Sequence, residues 1–298
     1  MKIGLIDVDG HNYPNLALMK ISAFHKAKGD SVEWYIPLAS GHLDRVYMSK
    51  IFTFTQDYEW AIDADEIVKG GTGYFYPDGG APLECEIEHA FPDYSLYPKF
   101  KDTAFGFLTR GCPRKCEFCI VSKKEGCKSY KVANLSEFWN SQKYIELLDP
   151  NLLACKEHKE LLYQLANSKS YVNFTQGLDA RLLNKKNIDI IKNIKVKAVH
   201  FAWDNVKDER YIVPKLQLFK EKTGWSRRKM SVYVLTNFNS THEEDLHRIY
   251  TLKKLGYNPY IMIYEKEKLS QGHITKRLQR WVNSRRIFET VRRFEDYE

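Results

Sequence analysis

Gly106-Phe-Leu-Thr-Arg-Gly111-Cys112-Pro-Arg-Lys-Cys116-Glu-Phe-Cys119 is the stretch that decides how this chain is read. Its three cysteines are spaced C-x3-C-x2-C. Zinc takes four ligands, usually from two paired arms, and only one C-x2-C arm is present. An iron–sulfur cubane also normally takes four thiolates. Three thiolates on one loop leave one iron open to a ligand that is not protein. Phe107 and Leu108 read as the end of a buried strand, with Thr109 to Gly111 as the turn after it. Gly111 lets backbone approach a cluster closely, and Pro113 fixes φ. Arg114 and Lys115 bring positive charge to the thiolates. Cys127 is the alternative fourth ligand, for a zinc knuckle or a four-cysteine site. Cys85 and Cys155 read as ordinary thiols.

On these residues the chain resembles the radical S-adenosylmethionine enzymes. The resemblance implies a 4Fe–4S cluster held by Cys112, Cys116 and Cys119, with S-adenosylmethionine chelated on the open iron. It implies reductive cleavage to a 5′-deoxyadenosyl radical, which abstracts hydrogen from a substrate. It sets Phe118 beside the adenine, and it calls for an electron donor such as flavodoxin or ferredoxin. Cys127, Tyr74 and Tyr264 all qualify as a hydrogen donor, and nothing in the sequence orders them.

From Thr103 onward, apolar runs alternate with helical patterns. Strands are expected at 104–108, 144–148, 171–175, 197–203, 230–236 and 260–264. Helices are expected over 136–141, 156–166, 211–223 and 243–255, and from 187. Six such units over 103–269 match a partial (β/α)6 barrel of the radical S-adenosylmethionine type, within an α/β fold class. In parallel barrels chemistry sits at the C-terminal strand ends. Those ends carry Asp149, Gln176, Arg181, Asp204, Asn237 and Tyr264, the candidate cofactor contacts. The family's Gly-Gly-Glu after the second strand is replaced by Leu148-Asp149-Pro150. Arg181 suits a carboxylate bidentately, or pairs with Asp179. His200 lies in an apolar strand and reads as a satisfied core histidine.

Residues 1–78 read as a small Rossmann-like parallel-sheet domain, with Pro14 in the first turn of its helix. Asp7, Asp9, His11, Ser49 and the Gly70–Gly73 loop are expected at its ligand-binding edge. The architecture resembles the domain that precedes the core in cobalamin-dependent members and methylthiotransferases. The latter need three further cysteines here, and only Cys85 is present. Cobalamin is disfavoured, because Asp9-Gly10-His11 is not followed by the glycine of a D-x-H-x-x-G signature. Residues 79–102 read as a connector. Residues 270–298 read as a basic amphipathic helix whose apolar stripe of Leu278, Trp281, Phe288, Val291 and Phe294 packs back onto the core.

The net charge is +8. Basic residues gather at Arg227–Lys229 and from Lys276 to Arg293. Such a surplus suits nucleic acid, and it equally suits a solvated helix face. No signal peptide or membrane-length apolar run is apparent, so a cytoplasmic protein is expected. Two function classes stand open. One is a radical S-adenosylmethionine enzyme of unknown substrate, with a nucleic acid or nucleotide among the choices. The other is a noncatalytic iron–sulfur or zinc module that binds nucleic acid through its arginines.

Overall fold

In the computed structural model, which describes residues 1–297, the chain is α/β with two parallel sheets. It divides into two compact units, Met1–Ile145 and Glu146–Glu298. In the first, β1 (Lys2–Asp7) leads to α1 (Leu16–Ala27), β2 (Ser31–Trp34), β3 (Leu43–Ser49) and β4 (Ala64–Gly70). The strand order is β2-β1-β3-β4, all parallel. The run Ile3–Ile6 is apolar throughout because β1 is buried on both faces. Ile3 and Leu5 pack with Leu18 and Ile21 of α1, while Ile6 packs with Val46 and Met48.

Two local expectations change here. Pro14 precedes α1 rather than opening it: Asn15 is the N-cap, its side chain accepting from Leu18 N at 3.3 Å. The strand–helix alternation also stops after α1, since irregular segments link β2 to β3 and β3 to β4. The Gly70–Gly73 loop is a tight structural turn. Gly71 has φ +96°, and a Cβ there would sit 2.3 Å from Lys50 O.

The rest of this unit contains α2 (Cys85–Glu88), β5 (Thr103–Gly106), β6 (Thr109–Arg110), α3 (Val121–Lys124), β7 (Tyr130–Lys131) and the start of β8 (Tyr144–Leu147). The connector is folded in, with Ile87 and Tyr97 buried. The helix expected at 136–141 is a single 3-10 turn at Leu135–Glu137. A capping box at Asn134 and Glu137 starts it, but Phe138 leaves helical space at φ −141°.

The second unit continues with α4 (His158–Ser168), β9 (Tyr171–Phe174), α5 (Lys185–Lys192), β10 (Val196–Ala202), α6 (Glu209–Thr223), β11 (Met230–Thr236), α7 (His242–Leu255) and β12 (Asn258–Ile263). The six strands lie side by side in chain order, β5-β8-β9-β10-β11-β12. The pairs from β9 to β12 are parallel. Each helix from α4 to α7 links neighbouring strands, as such crossovers require. Strand residues alternate in burial. Val172, Phe174, Val199, Phe201, Val232 and Val234 are buried, and Phe201 meets Phe219 of α6 edge-on at 5.1 Å. The intervening residues Asn173, His200, Ser231 and Tyr233 are half-buried, and Tyr260 is exposed. A parallel sheet covered on both faces would be apolar on both. This one keeps a polar, solvent-accessible face.

The expected single C-terminal helix is two, α8 (Ile274–Asn283) and α9 (Arg285–Thr290), broken where Ser284 adopts extended φ/ψ. Leu278, Trp281, Phe288 and Phe294 are buried, so the apolar stripe does pack inward. Asn283 Oδ1 accepts from Ile261 N at 2.8 Å, and Gln279 Nε2 donates to Ile261 O at 3.0 Å. Side chains of α8 thus satisfy the backbone of edge strand β12, a protected edge in place of a bare one. Among the described residues no helix is long and apolar enough to cross a membrane.

Candidate functional site

The cysteine loop leaves the first unit's β5 and is closed at its base by the antiparallel pair β6/β7, with Thr109 opposite Lys131 and Arg110 opposite Tyr130. Glu125 fastens it. Its carboxylate accepts from Arg110 NH1 at 2.8 Å and from Gly111 N at 3.0 Å. Arg110 also lies 3.5 Å from the centre of the Phe107 ring. Cys112 N donates to Gly126 O at 3.2 Å. Gly111 is a steric necessity: its φ is +76°, and a Cβ would fall 2.2 Å from Lys128 O. Such backbone is open to glycine at little cost.

Cys112, Cys116 and Cys119 are half-buried thiols on this loop, as is the Phe118 side chain, and none of the cysteines is in a disulfide. Cys127 is exposed, its thiol 3.8 Å from Ser122 O. Among the described residues no three His, Cys, Asp or Glu side chains gather around a point where one metal ion would sit. In a cubane each thiolate binds a different iron, so its ligands are spread around the cluster. The three thiols here lie on one fastened loop.

The C-terminal strand ends of the second unit bring several expected residues into two groups. The first is electrostatic. Arg181 Nε donates to Asp179 Oδ1 at 2.8 Å, and its NH1 donates to Asp208 at 3.2 Å. The pairing with Asp179 is therefore made. Asp204, just past β10, feels both Arg181 and Arg248. Burial nevertheless pushes its carboxyl up to about 6. Arg248 of α7 escaped the sequence reading, because a basic residue on a helix is by default solvated. It is wholly buried. It donates to Trp203 O at 2.8 Å, Leu235 O at 2.9 Å and Asp245 Oδ1 at 2.5 Å. Its signal was the Asp245-x-x-Arg248 spacing, one helical turn behind the Thr241 cap.

The second group joins Asn237 to Tyr264. Asn237 takes left-handed backbone at φ +61°, and its side chain donates to Tyr264 O at 2.8 Å. The Tyr264 ring meets Phe238 at 4.9 Å. Gln176 is exposed and Asp149 is buried.

The wet face of this sheet adds groups the sequence reading missed. Glu146 accepts from Asn173 at 2.5 Å and from Lys197 at 3.2 Å. His200 bonds Ser231 Oγ and stacks on Tyr233 at 5.1 Å and 4°. Burial lowers its basicity. His200 is satisfied, as expected, but it stands on the polar face rather than in the core. Parity with buried Val199 and Phe201 carried that signal.

No protein-family model matches this chain, and no curated protein matches it. Among solved structures it is similar to Streptococcus suis SuiB bound to S-adenosylmethionine, at 11% identity and a TM-score of 0.40. The match covers 72% of this chain and 51% of that one, so the chain spans about half the length of SuiB.

Proposed function

We propose that the chain is a radical S-adenosylmethionine enzyme, with Cys112, Cys116 and Cys119 as thiolate ligands of a 4Fe–4S cluster. The observation that carries this reading is the C-x3-C-x2-C spacing on a loop fastened just after the first strand of a sheet whose six strands follow in chain order. When bound, the cluster and S-adenosylmethionine supply one-electron cleavage of the sulfonium and hydrogen abstraction by the resulting radical. The chain's own residues have simpler tasks. The three thiolates fix the metal and leave one position open. Phe118 offers a ring to the adenine. Asp204 offers a carboxylate to ribose hydroxyls, and Arg181, preset by Asp179 and Asp208, offers a guanidinium to a carboxylate. Asn237 is tied to Tyr264 by its bond to the Tyr264 carbonyl. Glu146, Asn173, His200 and Tyr233 give a substrate polar contacts on a sheet face that water reaches.

The test is anaerobic purification, reconstitution with iron and sulfide, and addition of dithionite with S-adenosylmethionine. 5′-Deoxyadenosine should form, and should be lost in Cys116→Ala. An intact cluster that yields none would favour the noncatalytic module.

A further inference from the structure

The N-terminal unit contains a cleft separate from the cysteine loop. It opens beyond the C-terminal ends of β1 and β2 and encloses about 640 Å³, within the range of small-molecule sites. In open parallel sheets ligands bind outside the carboxyl ends of the strands. Here β2 and β3 flank β1. Trp34, Tyr58 and Trp60 give the cleft aromatic walls, and Asp7, Asp57 and Glu59 give it charge. Among the described residues no lysine or arginine lines it, although the chain's net charge is +8.

The walls are held in place. Trp34 packs against His11 at 4.2 Å and Tyr97 at 5.5 Å between ring centres, and Tyr97 Oη donates to Asp7 at 2.7 Å. Asp57 accepts from Tyr74 Oη at 2.5 Å and lies 3.6 Å from Lys69 Nζ. Those groups hold its carboxyl below the usual range, the Tyr74 bond foremost. Glu59 accepts from Gln56 at 2.6 Å. Tyr58 Oη is buried with no hydrogen-bond partner, while Trp60 leaves 68% of its surface in water at the rim. Trp60 thus leaves an indole face open to a ligand at the rim.

We propose that this cleft binds an organic cation: an ammonium or guanidinium group on a planar or apolar body. Ring faces attract such a cation, and the carboxylates pair with it. A phosphate would meet three carboxylates and, among the described residues, no lysine or arginine in the lining, Lys69 behind Asp57 being already paired with it. The end of β1 points the same way, since Asp7 stands next to where dinucleotide folds present glycines to pyrophosphate.

The proposal does not depend on the cluster, so it is tested on full-length protein with and without iron. Calorimetric titration would use benzamidinium, benzamide and benzoate, one shape in three charge states. Benzamidinium should bind at least about tenfold tighter than benzamide, with benzoate weakest. Asp57→Asn and Trp34→Leu should each weaken it about tenfold. Glu59→Gln, at an exposed position, gives a second charge variant should Asp57→Asn not fold. Agmatine and an arginine-containing tripeptide tell a small-molecule source from a protein side chain by which binds tighter. Equal binding of the three probes, preference for benzoate, or no saturable binding of any would overturn the proposal. Loss of cation binding beside intact S-adenosylmethionine cleavage sinks this inference alone, and the converse sinks only the enzymatic one.

Discussion

Asp204→Asn should make the protein more stable at neutral pH while impairing its chemistry. Burial raises the Asp204 carboxyl from 3.8 to about 6, against the opposing pull of Arg248. The folded state therefore holds this proton more tightly than the unfolded chain. Between these two values the folded state binds more protons, so stability falls as pH rises, and the loss is complete above about 6. The shift corresponds to about 3 kcal/mol. Asparagine removes the ionisation, and its side-chain oxygen can still accept the bond from Leu235 N. Urea unfolding followed by circular dichroism should show a gain of about 3 kcal/mol at pH 7.5 and less than about 1 kcal/mol at pH 4. In the same variant S-adenosylmethionine binding should weaken. A gain that is equal at both pH values, or a variant destabilised at pH 7.5, would refute the assignment of a costly buried charge. A gain without any loss of cofactor binding would leave the charge with no use in the proposed site.

Gly111→Ala should cost about 1–2 kcal/mol in left-handed backbone alone. The close approach to Lys128 O adds to this, and iron bound per chain should fall with the melting temperature. Cys127→Ala should leave iron per chain unchanged, whereas alanine at Cys112, Cys116 or Cys119 should abolish the cluster spectrum; loss of iron in Cys127→Ala would mean four protein ligands. Asn283→Ala strips the acceptor from Ile261 N and should destabilise by about 1–3 kcal/mol in thermal unfolding. Truncation after Gln271 removes buried Trp281 with the whole cover of β12 and should give insoluble protein; soluble protein with unchanged cofactor cleavage would contradict that role.

Much of the second unit was legible because its signals are local. Strands at 171–174, 196–202 and 230–236 are short β-branched and aromatic runs, and Thr241 announces α7 by its capping box. What escaped depended on partners distant in sequence. A capping box also opens 135–137, yet Trp139 Nε1 bonds Gln142 O and the chain turns away instead of propagating helix. Arg248 gains its meaning only when Trp203 and Leu235 bring carbonyls to it. The cleft at β2 is assembled from segments 5–11, 34–36 and 56–60, and no single stretch hints at it. In the first unit, the segments between β2, β3 and β4 carry no helical periodicity and stay irregular.

Glu125, Gly111 and the β6/β7 pair tie the cysteine loop to backbone on both of its sides. A substitution at Glu125 would therefore loosen all three thiols together rather than one.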